Sequence, residues 1–143
     1  EMKQAEFGAW LAEQLGLSDV LQTETAVPYA EGLARLVAAD RLILLAYGSE
    51  TAFLPAKLYD YLLVRRPILA LSEPSELTEI IDETGAGAWV RPDDDAGLVA
   101  ALREALQGHG MEGPTATAVE PFGAPKTAAA LAAVLDEITA HGV

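Results

Sequence analysis

FLPAKLYDYLLVRRPILALS, residues 53–72, is the stretch on which the fold turns. Pro55 suits the first turn of a helix, because it lacks an N–H that would go unsatisfied there and its φ is already helical. Leu58, Tyr61 and Leu62 then fall on one helical face, and the pattern stops at Arg65 and Arg66. PILALS, 67–72, is apolar in nearly every position, which suits a parallel strand covered on both faces.

Working outward, the same alternation of strand and helix continues in both directions. LILLAY, 42–47, is a second strand apolar on both faces, joined to Pro55 by a loop of small and polar residues. Upstream, Pro28 opens a helix through Leu33, Leu36 and Val37 to about Asp40, and DVLQTETAV, 19–27, is read as a strand and loop. Phe7, Trp10, Leu11 and Leu15 recur at helical spacing, so a helix over about 3–15 is expected to bury that face. Downstream, Ser75 caps a helix over about 76–84, Gly85 and Gly87 break it, and AWV, 88–90, is a short strand. Pro92 and Asp93–Asp95 start a helix through Leu98, Val99, Leu102 and Leu106. These signals predict an α/β fold: a parallel sheet of about four strands with helices on both faces and right-handed crossovers. The Gly/Pro-rich residues 107–125 form an unusually long connection across the surface to a final helix over about 126–141.

Length and composition bound the function. A chain of 143 residues fits one domain, which can bury roughly 70% of the surface of its unfolded state. With 22 acidic against 9 basic residues, a net charge of −13 argues against a surface that tracks nucleic-acid phosphates or an anionic membrane. No cysteine is present, which excludes disulfides, thiolate catalysis and Cys-based metal sites. The apolar runs are far shorter than the roughly 20 residues of a membrane helix, and the first residues do not read as a signal peptide. The expected location is cytoplasmic. The first residue is Glu1 in place of Met, which suggests an excised piece.

Candidate chemistry gathers at the start of the helix that Pro55 opens. Ligands of open parallel sheets bind at the carboxyl ends of the strands. There, the N–H groups of Ala56, Lys57 and Leu58 are expected to lack intrahelical acceptors, so with the helix dipole they favour a phosphate, and Lys57 adds a positive charge. Asp60 cannot hold a phosphate but accepts well from a vicinal diol such as a ribose. Beside this stands the plain alternative that Asp60 complements the helix N-terminus and Lys57 is solvated. Asp93–Asp95 are helix-start carboxylates before they are cation ligands, and GAG, 85–87, precedes a strand and so is not a dinucleotide fingerprint. His109 and His141 stand beside no candidate nucleophile, and no serine sits in an elbow motif.

From about Gly16 to Ala105, the order of signals resembles the second half of the carboxy-terminal domain of GT-B glycosyltransferases of the retaining, glycogen-synthase-like family. LPAKLYDYLLVRRPILAL is similar to that family's run of Pro, Lys, an apolar pair, an acidic residue, Tyr-Leu, a turn and Pro before a strand. ELTEIIDETGAGAWVRPDDDAGLVAALREAL resembles the segment that follows it. The resemblance implies a Rossmann-like half of a GT-B fold that binds a nucleoside diphosphate sugar, without a cofactor or a metal. Asp60 would hold the ribose, Leu54, Pro55, Ala56 and Lys57 would lie along the diphosphate, and Glu50 would belong to the same nucleotide-sugar-binding loop, near the donor sugar if the loop is re-registered. The family pairs this acidic residue with a Glu that falls here on Ala52, and Glu50, two residues away, is the nearest carboxylate. Neither the strand and glycine-containing loop that begins such a domain nor its amino-terminal acceptor domain is in this chain. The chain therefore reads as a C-terminal fragment of a two-lobed enzyme, inactive by itself and with no catalytic residue assigned. A rival expectation from a different class is a non-catalytic α/β domain that docks a protein partner.

Overall fold

The computed structural model describes residues 4–46, 54–108 and 112–123, with Pro125 and Ala132. They group into two compact units, 1–32 and 33–143.

The first unit carries helix α1 (Gln4–Gln14), which Gly16 ends at φ 66°, while the Leu17 N–H bonds the Ala12 carbonyl at 2.7 Å. The apolar stripe expected to be buried is instead exposed: Phe7 and Trp10 are each 47% accessible and Leu15 is 61%. A unit of this size has too little chain to wrap a helix face, so Phe7 and Trp10 pack on each other, ring centroids 5.8 Å apart. The strand expected over 19–27 is not formed; residues 18–20 turn and 21–28 have no regular structure. A strand needs a ladder to satisfy its backbone, and the described sheet includes no segment from 19–27. Helix α2 (Tyr29–Ala38) then runs across the boundary between the units.

The second unit is an α/β layer. Strands β1 (Leu42–Ala46), β2 (Ile68–Ser72) and β3 (Gly87–Val90) form a parallel sheet in the order β1-β2-β3, three strands among the described residues. Leu42 faces Ile68, Leu44 faces Ala70, and Ile68 in turn faces Gly87. Between the strands come α3 (Ala56–Val64) and α4 (Glu76–Thr84), and α5 (Asp95–Leu106) follows β3. Leu58 and Leu62 of α3 and Leu77, Ile80 and Ile81 of α4 meet Leu44, Ile68 and Ala70 in one core. Leu58, Ile68 and Ile81 are fully buried, each contributing about 1.5–3 kcal/mol.

Local chemistry sets the ends of these elements. The Thr78 hydroxyl accepts from the Ser75 N–H at 3.0 Å and donates to the Ser75 carbonyl, fixing the first turn of α4, while Gly85 closes it at φ 60°. Asp94 caps α5 by accepting from the Gly97 N–H at 2.8 Å. Within 107–125, expected as a bare connection, Thr115 caps a one-turn helix α6 (Ala116–Val119), and Val119 and Phe122 pack on the core. The final helix expected over 126–141 lies outside the described residues, apart from Ala132.

Helix α3 ends on Arg65 in the left-handed conformation, φ 53° and ψ 38°, the one described non-glycine residue with positive φ. A Cβ in that region is costly, and the Arg65 side chain is exposed. Arg65→Gly is therefore expected to stabilise the protein by about 0.5–1 kcal/mol, the relief of strain exceeding the entropy that glycine adds to the unfolded chain. An upward shift of the urea midpoint at constant slope checks it; an unchanged or lower midpoint contradicts it. Next to it, Arg66 Nε and NH2 donate to the Val37 carbonyl at 3.0 and 2.6 Å, satisfying the C-terminal turn of α2.

The second face of β1 departs from the expectation of cover on both sides. Alternate residues point to opposite faces, so Leu42 and Leu44 enter the core while Ile43 and Leu45 face away. Those two are 52% and 58% exposed. Helix α5 packs against β3, and its Leu102 and Leu106 line one groove with Ile43 and Leu69.

Candidate functional site

The carboxyl ends of three parallel strands define one rim of the second unit, and three helices start there. The loop after β1, including Glu50 and Ala52, lies outside the described residues. Its far side begins at Leu54, whose side chain packs against the core and anchors the loop end. Pro55 stands one position earlier than expected: it is the N-cap, at φ −61° and ψ 130°, and α3 starts at Ala56. Proline before the first turn holds the chain extended and aims it into the helix.

The N–H groups of Ala56 and Lys57 have no intrahelical acceptor. Leu58 departs from the expectation, because its N–H donates to the Pro55 carbonyl at 2.9 Å. The anion-binding capacity of this helix start thus rests on two amides, reinforced by the positive end of the dipole. The side chains of Ala56 and Lys57 are exposed and Asp60 is half-buried. A spacing of three places Lys57 and Asp60 on one side of α3, with the lysine nearer the strand ends.

Tyr61, the next residue, turns toward the sheet and donates its hydroxyl to the Ile43 carbonyl at 3.3 Å. Burial, and then the neighbouring Asp60 carboxylate, push the Tyr61 phenol above its usual range. Both effects disfavour the phenolate, so the hydroxyl keeps the proton it donates. Leu58 and Leu62 fix the inner face of the same helix, which positions Asp60 through packing around it.

The next two strand ends are joined by a set of polar contacts that spacing did not single out. Arg91 Nη1 lies 2.9 Å from Glu73 in the loop after β2, and Arg91 Nε lies 3.1 Å from Asp93. The Arg91 guanidinium holds the Asp93 carboxyl below the usual carboxylate range, and Asp93 and Glu73 raise Arg91 in turn. All three side chains are well exposed, so these pairs set loop geometry more than stability. Ser72, buried at the end of β2, donates to the Glu73 carbonyl at 2.8 Å and lies 3.3 Å from the Ser75 hydroxyl. The signal in the sequence was an arginine directly after a strand and an aspartate two residues on. Its long-range partner Glu73 was not legible.

Asp93 and Asp94 are engaged with Arg91 and the Gly97 N–H, and no cluster of three metal-ligating side chains occurs among the described residues. A groove of about 920 Å³ opens at the opposite end of the sheet, lined by Arg41, Ile43, Arg66, Leu69, Leu102 and Leu106 among others. It is remote in the fold from the α3 start, since Arg41 and Pro67 precede the strands that Ala46 and Ser72 end. No described helix is long and apolar enough to cross a membrane. Comparison with protein-family models, curated proteins and solved structures finds no match.

Proposed function

We propose that this chain is the nucleotide-sugar-binding part of the C-terminal domain of a retaining GT-B glycosyltransferase, which moves a sugar from a nucleoside diphosphate donor to an acceptor. The observation that carries this reading is the start of α3. A loop leaving the carboxyl end of a parallel strand leads into a helix with two open amides, a lysine in its first turn and a carboxylate one turn on. That order suits a diphosphate followed by a ribose. The resemblance of residues 53–72 to the donor-binding segment of that family supplies the chemical class, and the three-stranded parallel sheet is compatible with half of a Rossmann-like domain.

Within the parent enzyme, the Ala56 and Lys57 amides and the Lys57 ammonium would stabilise the charge that the diphosphate gains as the glycosyl bond breaks. Alanine at position 52, where the resembling family carries its first carboxylate, argues against sugar transfer by these residues alone. Weak nucleotide binding is the chain's remaining activity.

Titration with UDP, GDP and ADP, followed by amide NMR shifts, tests this. The amides of Ala56, Lys57 and Asp60 are expected to move with millimolar ligand, for at least one base. Asp60→Asn is expected to weaken that binding about tenfold, the size of one charge-assisted hydrogen bond, with the melting temperature nearly unchanged. No shift at residues 54–60 with any nucleotide, or equal affinity in the variant, rejects the site. A large loss of melting temperature in Asp60→Asn assigns the carboxylate to structure instead.

A second reading, a non-catalytic domain that docks a protein, is favoured by the exposed Phe7 and Trp10 of α1 and Leu15 just after it. Exposed aromatic and aliphatic side chains in one stripe are a feature of docking helices. A nucleotide titration without response leaves that reading in place.

A further inference from the structure

We propose that the groove at the amino end of the sheet binds an amphipathic monocarboxylate, and that Arg65 is kept in a strained turn to hold its carboxylate head. Arg65 is the one described non-glycine residue with positive φ, at a helix end where glycine is the usual occupant. The turn is held by its surroundings. Its N–H bonds the Leu62 carbonyl at 3.2 Å, and Gly113 comes so close that an added Cβ would press on the Arg65 carbonyl. Among the described residues the Arg65 guanidinium makes no hydrogen bond or ion pair, and the residue is exposed. An unfavourable backbone conformation kept at a residue whose side chain does nothing for the fold points to a use for that side chain.

The lining of the groove supplies the chemistry of the ligand. Three of the chain's nine basic residues, Arg41, Arg65 and Arg66, gather on this one groove in a protein of net charge −13. Asp40 and Glu112 line it as well, so a single positive charge is left over. That surplus suits a monoanion, whereas a phosphate dianion would be repelled by the two carboxylates. Much of the remaining lining is apolar, with Ile43, Leu69, Leu102 and Leu106. Ile43 and Leu106 are 52% and 87% exposed, and an apolar chain laid along them takes that surface out of water. At about 920 Å³ the groove is of the size of small-molecule sites. A guanidinium fork matches the two oxygens of a carboxylate. Arg66 has Nε and Nη2 engaged by the Val37 carbonyl, whereas Arg65 keeps its whole fork for the ligand.

Titration of the full 143-residue chain with decanoate, followed by amide NMR shifts, provides the test. The amides of Ile43, Arg65, Leu69 and Leu106 are expected to move and to saturate at millimolar ligand. Acetate, the head alone, and decyltrimethylammonium, the same tail with the opposite charge, are expected to leave them in place at equal concentration. Arg65→Gly is expected to weaken decanoate binding about tenfold while the urea midpoint rises, since it removes the fork and the backbone strain together. Arg65→Gln keeps a long side chain on the same backbone and is expected to show the same loss of affinity. Groove amides that ignore decanoate overturn the proposal, as do equal shifts with acetate or the alkylammonium, or unchanged decanoate affinity in either variant. A fall of affinity and midpoint together in Arg65→Gly overturns it too, because that assigns Arg65 to the fold. Nucleotide binding at the start of α3 does not enter this experiment, so its outcome stands apart from the glycosyltransferase reading.

Discussion

Gly87→Ala is expected to lower stability by about 3–5 kcal/mol, a large share of the 5–15 kcal/mol of an ordinary domain. Gly87 opens β3 at φ 153°, and a methyl group there would press on the Ile68 carbonyl oxygen and lie 2.7 Å from the Ile68 nitrogen. Those atoms belong to the ladder, since the Ile68 N–H donates to the Ala86 carbonyl at 2.8 Å, and they cannot swing aside as a side-chain tip can. Relieving the contact means parting β2 from β3 at the fully buried Ile68, the β2 residue paired with Gly87. Gly85→Ala is the matched control. Its φ is 60° but nothing lies within 4 Å of the added carbon, so about 1 kcal/mol of backbone strain is the whole effect. Thermal melting of the two variants separates the mechanisms: equal losses would mean that Gly87 is kept for its dihedral alone.

Leu58→Ala is expected to cost about 2–5 kcal/mol, through lost burial and the cavity left among Leu44, Leu62 and Ile68. Leu63→Ala, on the opposite side of α3 and 63% exposed, is expected to stay within about 0.5 kcal/mol. Leu58 sits in the first turn of α3, beside Lys57 and two residues before Asp60, so the same substitution loosens the candidate ligand-binding turn. Urea denaturation gives the stability term. Nucleotide affinity measured well below the melting transition gives the second effect, which is expected to be smaller in Leu62→Ala, one turn further from the helix start.

What could be read in advance follows the range of the forces involved. Helix α4 is legible to its ends because Ser75, Thr78 and Gly85 act within a few residues of where they stand. The inner face of α3 is legible for the same reason, since Leu58 and Leu62 repeat at its own period. The strand expected over 19–27 fails because a strand depends on a neighbour that the local sequence cannot supply. Apolar Ile43 and Leu45 were expected to be covered, yet hydrophobicity records only a preference for cover and does not provide it. At the candidate site, the placement of Lys57 and Asp60 on one side of α3 was visible in the spacing. The bond from the Leu58 N–H to Pro55, the bond from Tyr61 to Ile43 and the pair of Arg91 with Glu73 depend on elements meeting in space.

The order β1-β2-β3 matches the order of the chain, so each strand docks on the one synthesised just before it. Among the described residues, no strand has to wait for a later segment to be inserted between two earlier ones, and each closure spans one helix and its turns. Parallel pairing always costs a crossover, and this order keeps the separation between paired residues to a single crossover each time, as from Leu42 to Ile68 and from Ile68 to Gly87. On a ribosome, β1, α3 and β2 can consolidate the Leu44, Leu58 and Ile68 contacts while α5 is still in the exit tunnel. The described part of the second unit is thus built to assemble vectorially, one crossover at a time, with Gly87 as the joint at which the third described strand is admitted.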